Sequence, residues 1–297
     1  MITHPLRRNR RMALGETTSP HIETYVTNWA NKVVSNGGII PSTNTQIILT
    51  NFYNTLISNN LFNKMIMVNC YVPDDLIACT TPLINVASSN RGVNATWRNT
   101  GFTASSDLSV NGLKGDTTKR YLDTGIDISG VFNSTTTVGG GITVYSIDSG
   151  LSNSLDVCEV GCSNSSNTTP ACCLFLNNLG TIYGQIGDAT AEVSVPNTGA
   201  GYYSVNRISQ TIVSLYRANS TTPHFQIAQS LNSAPAIQTG TPMYVHARYN
   251  ADSTLAYSWS PRTLSFVAFH TPLSLSDSSN FFNAIQALRQ NLGGGYV

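Results

Sequence analysis

Thr143-Val144-Tyr145-Ser146-Ile147 and Thr211-Ile212-Val213-Ser214-Leu215-Tyr216 interleave apolar and polar side chains over short β-branched and aromatic runs. Successive side chains of an extended chain point to opposite faces, so this pattern describes strands with one face buried. Similar runs recur at 135–147, 173–176, 181–186, 202–208, 211–216, 243–249 and 264–269. Clusters of Gly, Asn, Ser and Asp separate them. Short strands at regular spacing with turn signals predict a mainly β chain folded as an antiparallel, jelly-roll-like β-sandwich.

Both ends of the chain read as helix. Ser19-Pro20 supplies a helix start, and Ile22, Tyr25, Val26, Trp29 and Val33 form one apolar helix face. Gly37-Gly38 stops that helix. A second begins after Pro41, where Thr43 and Gln46 have capping-box spacing, and Ile47, Ile48, Phe52, Leu56 and Ile57 form its stripe. The two make an α-helical hairpin. Met65-Ile66-Met67-Val68 is strand-like, and residues 74–84 read as one helical turn and a loop. Near the C-terminus, Ser276 or Asp277 caps a helix carrying Phe281, Phe282, Ile285 and Leu288, which ends at Gly293-Gly294-Gly295. The expected organisation is a flexible basic arm (1–18), a helical hairpin with a connecting segment (19–84), and a sandwich with a C-terminal helix (85–297).

Charge is sparse. Only 10% of the 297 residues are Asp, Glu, Lys or Arg, against about 25% in ordinary globular domains. Asn, Ser, Thr and Gly replace them, which suits an exposed β protein better than a cytosolic metabolic enzyme. Arg7, Arg8, Arg10 and Arg11 concentrate positive charge in the first residues of a chain whose net charge is +1. They are candidate attachment residues toward an acidic surface, and too few for genome packaging. No run of about 18 apolar residues is present, and Met12 to Gly15 is too short for a signal-peptide core. Folding in a cytoplasm, with no membrane partner and no specific nucleic acid, is the expectation. The six cysteines include Cys158, Cys162, Cys172 and Cys173. Their spacing does not suit zinc, and packed free thiols are expected, with a disulfide as the alternative.

Several segments resemble a family of LamG-like, concanavalin A-like proteins of tailed phages and prophages. Trp29 through Gly38 resembles the opening helix. Asn51 to Leu56 and Leu61 to Met65 resemble the second helix and its exit. Gly112 to Asp116, followed by Lys119 to Gly125, resembles a glycine- and aspartate-rich element. Arg207-Ile208-Ser209 before Leu215-Tyr216-Arg217 resembles a strand pair. Arg262 to Phe266, then Leu275-Ser276-Asp277, Phe281-Phe282 and Ile285 to Leu288, resemble the closing strand and helix. The likeness spans residues 25–297, while the Cys158–Cys173 region and the basic arm depart from the pattern. It implies a structural component of a virion, located in tail, baseplate, fibre or capsid decoration. Its partners would be other virion proteins and further copies of itself as a homo-oligomer.

A fold of this kind also hosts carbohydrate binders and glucanases. Tyr249, Tyr257 and Trp259 are the candidate glycan contacts, since aromatic faces stack on sugar C–H faces; the competing reading places them in the core or an interface. A hydrolase needs two carboxylates flanking the scissile bond. Asp156-Val157-Cys158-Glu159 would point its two acids to opposite sides of a strand, so no catalytic residue is assigned. His246 and His270 read as structural. Gly112 to Gly125 reads as turn chemistry, with a calcium loop as the alternative. Gly139-Gly140-Gly141 reads as a turn. The sequons at Asn94, Asn133, Asn164, Asn167 and Asn219 follow from composition. No cofactor or metal is expected. The alternatives to a virion structural role are a host-surface carbohydrate-binding module and a polysaccharide hydrolase.

Overall fold

The computed structural model describes residues 22–86, 97–127, 132, 139–148, 156–163, 172–187, 192–196, 199–209, 211–219, 225–230 and 241–295. The helices are α1 (Ile22–Ser35), α2 (Thr43–Ser58), α3 (Leu76–Thr80), α4 (Ala104–Asp107) and α5 (Leu275–Asn291). In chain order the strands begin with β1 (Met65–Asn69), β2 (Ile84–Asn85), β3 (Arg98–Thr100), β4 (Leu108–Ser109), β5 (Gly112–Lys114), β6 (Tyr121–Asp127), β7 (Gly140–Ser146) and β8 (Asp156–Val157). They continue with β9 (Val160–Ser163), β10 (Cys172–Asn178), β11 (Thr181–Ile186), β12 (Glu192–Pro196), β13 (Gly201–Ser209) and β14 (Ile212–Ala218). The last are β15 (Phe225–Ser230), β16 (Pro242–Val245), β17 (Arg248–Asn250), β18 (Leu255–Tyr257) and β19 (Thr263–His270).

Two sheets form an antiparallel sandwich. The first runs β15-β14-β13-β7-β19-β1-β2, with β5 and β4 appended at β19. The second runs β12-β11-β10-β9-β16-β6-β3, with β8, β17 and β18 attached. Between them lies one core that includes Ile142, Val144, Leu174, Leu176, Val205, Leu215 and Phe269. The expected sandwich is thus present, and jelly-roll-like in its two-layer build.

A third layer covers the first sheet. Helices α1, α2 and α5 pack on its far face around Trp29, Leu49, Leu56, Tyr145, Tyr202, Phe266, Phe281 and Ile285. Removing one such side chain from water contributes roughly 1.5–3 kcal/mol. This changes the reading of the opening stretch: its polar positions are not wet. Thr143, Ser146, Ser204, Asn206 and Ser214 are all buried. Several are satisfied by one another, as in Thr143 to Ser204 at 2.8 Å and Asn206 Nδ2 to Ser204 Oγ at 2.8 Å. Asn206 Oδ1 also accepts the Leu273 N–H at 3.0 Å, tying the sheet to the lead-in of α5.

The segment assigned to connect the hairpin with the sandwich belongs to the sandwich itself. β1 pairs with β19 on one side and β2 on the other. Its Met67 enters the inter-sheet core while Met65 and Val68 face the helices. Sheet pairing therefore begins at Met65, and the hairpin is a layer of the same body. The apolar faces of α1 and α2 are buried against this sheet. Asp74 and Asp75 fasten the hairpin: they accept the backbone N–H groups of Ser42 at 2.7 Å and Ile39 at 2.9 Å.

Caps differ from expectation by small shifts. α2 is capped by Ser42, whose hydroxyl accepts the Thr45 N–H. α5 is capped by Ser274, two or three residues before the expected cap at Ser276 or Asp277, and starts at Leu275, with Ser274 and Asp277 forming a complete capping box. Gly140 and Gly141 are not turn residues; they open β7. A side chain at Gly141 would lie 2.0 Å from the His270 ring, so glycine is required there.

Candidate functional site

On the second sheet, alternation sorts residues cleanly. Val160, Cys162, Cys172, Leu174, Leu176, Ile182 and Ile186 face the inter-sheet core. Their neighbours Gly161, Ser163, Cys173, Phe175, Tyr183 and Gln185 therefore share the outer face. Gly161 sits under crowded side chains: a Cβ there would lie 2.7 Å from Cys158 Sγ and 2.9 Å from Cys173 Cβ.

Above this floor runs an aromatic and cationic row. Phe175 meets Tyr183 edge to face, with ring centroids 5.6 Å apart. The Arg248 guanidinium carbon lies 5.2 Å from the Phe175 ring and 4.2 Å from the Tyr257 ring. Register explains the grouping, because Arg248 pairs directly with Tyr257 across the β17–β18 hairpin. Tyr257 exchanges a hydrogen bond with Ser163 at 2.7 Å, and Tyr183 donates to Gln185 at 2.8 Å. Burial raises the Tyr257 pKa, with Ser163 and Arg248 pulling the other way. Phe175 and Arg248 are buried, whereas Tyr183 and Tyr257 are partly exposed. A partly exposed ring can stack on an apolar sugar face.

The three expected glycan contacts do not come together. Tyr257 lies in the row. Tyr249 pairs with Ala256, and both pack toward the inter-sheet core, where Tyr249 meets Tyr244 at 5.1 Å. Trp259 is half-buried against that core, and its indole N–H has no partner among the described residues. Arg248, Phe175, Tyr183, Ser163 and Gln185 were not singled out from sequence. Alternation in β10 and β11 was visible, but nothing local shows which parity faces outward. Arg7, Arg8, Arg10 and Arg11 lie outside the described residues, as do Asn94, Asn133, Asn164 and Asn167.

The nearby acids have other roles. Glu159 is fully buried, 3.3 Å from the equally buried Arg262. It also accepts Ser260 Oγ at 2.9 Å and the Leu176 N–H. Burial pushes its pKa up to about 7 against the pull of Arg262. Arg262 reaches the Asp148 and Leu176 carbonyls, so this pair joins the lead-in of β19, in the first sheet, to the second. Asp156 is exposed and accepts from Ser258 at 3.2 Å. Asp116, in the glycine-rich element, accepts the N–H groups of Thr118, Lys119 and Arg120. Burial would raise its pKa, yet these bonds hold it down at about 2. That is turn chemistry. No group of three or more His, Cys, Asp or Glu suited to a metal occurs among the described residues.

A concavity lies in the helical layer, with Tyr25, Trp29, Lys32, Tyr53 and Phe62 on its walls. There Trp29 and Tyr53 spend their polar ends on the carbonyls of Thr81 and Leu83, which marks it as packing.

No family model matches this sequence, and no curated protein does. Solved structures with a similar course include the botulinum neurotoxin serotype C1 binding domain, at 11% identity and TM-score 0.48. That alignment covers 77% of this chain and 53%, about half, of the neurotoxin domain. The carbohydrate-binding module CBM40 of the Ruminococcus gnavus IT-sialidase, bound to α2,6 sialyllactose, aligns at 15% identity, covering 57% of this chain and 96% of the module, with TM-score 0.38. Mouse laminin α1 domains LG4-5 align at 14% identity over 49% of this chain and 39% of theirs, with TM-score 0.29. The sheet topology itself defines the fold class, a mainly β antiparallel sandwich.

Proposed function

We propose that this chain is a non-enzymatic, host-surface carbohydrate-binding module. The observation that carries the reading is the row Tyr183–Phe175–Arg248–Tyr257 on the outer face of the second sheet. It supplies the partly exposed side chains of Tyr183 and Tyr257, held in place by the buried Phe175, Arg248, Ser163 and Gln185. Rings fixed by packing lose little freedom when a sugar settles on them. Glu159, behind the sheet floor, is committed to a buried ion pair with Arg262 and is out of reach of a sugar.

Glycan arrays and whole host cells probed with the intact protein test this reading. Tyr257→Ala is expected to abolish detectable binding while leaving a folded protein. A wild-type protein that binds neither glycans nor cells would refute the proposal, and release of reducing ends from polysaccharide would replace it with the hydrolase reading.

The sequence resemblance favours a second, compatible reading of setting: a structural component of a tailed-phage virion, folded in the host cytoplasm and present as a homo-oligomer among other virion proteins. Its basic arm, with Arg7, Arg8, Arg10 and Arg11, would provide attachment. Particles assembled with a chain lacking residues 1–15 should lose the protein. Unchanged incorporation would count against this role for the arm.

A further inference from the structure

We infer that Cys162 and Cys172 are a disulfide-forming pair that covalently joins β9 to β10. The two residues are direct partners across the antiparallel β9–β10 ladder. Directly opposed residues in such a ladder have Cα atoms about 4.5–5.5 Å apart, inside the window of about 4.4–6.8 Å that a disulfide requires. Both side chains point into the inter-sheet core and are fully buried. The two side chains are close enough to act on one another. Their thiols are free in the structure, as are the other four.

The neighbouring pair makes a useful contrast. Cys158 and Cys173 also lie close, on the outer face above Gly161. Yet Cys158 directs its thiol to the Leu174 carbonyl at 3.8 Å, and Cys173 directs its thiol to Gln185 at 3.6 Å. They are not cross-strand partners either: Cys173 faces Gly161. Register thus selects one pair among four clustered cysteines.

Burial holds the Cys172 thiol protonated, its pKa well above the ordinary value. Only the thiolate attacks a disulfide, so the folded, reduced protein exchanges slowly. The bond forms instead when β9 and β10 come together, or open locally, in the presence of a small disulfide such as oxidised glutathione, so a chain folded in a reducing cytoplasm keeps two thiols until it meets such an oxidant after release. One cysteine thiolate attacks glutathione disulfide and releases one glutathione; the second cysteine displaces the other. Two S–H bonds break, one protein S–S bond forms, and two electrons and two protons leave on two molecules of reduced glutathione. The cross-link sits directly beneath Ser163 and Cys173, so it would stiffen the floor of the row. The inference is independent of what that row binds.

The test refolds the full, reduced and denatured chain in a glutathione redox buffer, followed by thiol blocking, intact mass and peptide mapping. The expected result is a loss of two hydrogens per chain, a peptide linking Cys162 to Cys172, and a denaturation midpoint that falls when dithiothreitol is added. Six blocked thiols, or a linkage joining any other cysteines, would overturn the inference without any variant needing to fold. A Cys162–Cys172 link that lowers the midpoint relative to the reduced protein would also overturn it, because the native register would then not accommodate the bond.

Discussion

The two sheets face different surroundings. The first has helices on one side and the inter-sheet core on the other, so even Thr143, Ser146, Ser204, Asn206 and Ser214 are dry. The second shares that core, but its outer face carries the row containing half-buried Tyr183 and Tyr257. In the first sheet, polar groups serve packing. Tyr202 exchanges a hydrogen bond with Ser278 of α5 at 2.7 Å, and Gln286 donates to Tyr145 at 2.7 Å. In the second, polar and aromatic groups are held in place with surface to spare. The proposed binding surface lies on the sheet that the helices leave uncovered. The Glu159–Arg262 pair is the seam between the two.

Breaking the seam should have the largest effect. Glu159→Ala leaves the Arg262 guanidinium buried without its carboxylate, and unfolding free energy measured in urea should fall by about 3–5 kcal/mol. An effect below about 1 kcal/mol would mean that water reaches this site. Next comes the helical layer. Leu56, fully buried in α2, should lose about 2–5 kcal/mol on conversion to alanine. Below its unfolding transition the Leu56→Ala protein should keep wild-type glycan affinity. Reduced affinity in a folded Leu56→Ala protein would dissolve the division between a stabilising sheet and a binding sheet.

A pH titration of stability sharpens the same contrast. His270 lies on the first sheet against Thr143 and Phe281. Burial lowers its pKa to about 4, with Asp277 and Lys64 acting in opposite directions. His246, between Tyr71 and Phe102, is lowered by burial to about 3, Asp116 opposing. Each stays neutral in the native protein while the unfolded chain takes up a proton below its ordinary 6.5. Each therefore withdraws stability as pH falls through that value. Glu159 acts in reverse: between 4.5 and about 7 the native protein holds a proton the unfolded chain has released, so its contribution falls as pH rises. From pH 4.5 to 6.5 two histidines oppose one glutamate. Stability should climb by about 1.4 kcal/mol per pH unit. His270→Gln should flatten that slope toward zero, and an unchanged slope would show that His270 is not the group involved.

The smallest effect is at a cap. Ser274→Ala removes one half of the α5 capping box and should cost about 1 kcal/mol. Calorimetry should show a lower melting temperature with glycan binding intact.

Much of this was legible in the residues. The stripe of Val26, Trp29 and Val33 did become the buried face of α1, and Phe281, Phe282, Ile285 and Leu288 that of α5. Periods of two and of 3.6 residues are local properties, set by backbone geometry, and they identified strands, helices and the sandwich. What covers each face is not local. Thr143 and Ser214 read as solvent-facing because polar residues usually are, and only the docking of α1, α2 and α5 made them internal. Tyr249 and Tyr257 looked equivalent in sequence, yet the hairpin register sends one inward and the other beside Arg248. Cys162 and Cys172 are ten positions apart, and their opposition exists only because β9 and β10 pair in one register. The sequence by itself determined which segments are strands and helices and which side chains share a face. Tertiary structure decided which faces are covered, which distant side chains meet and therefore where a site can be, because those depend on pairing between segments far apart in the chain.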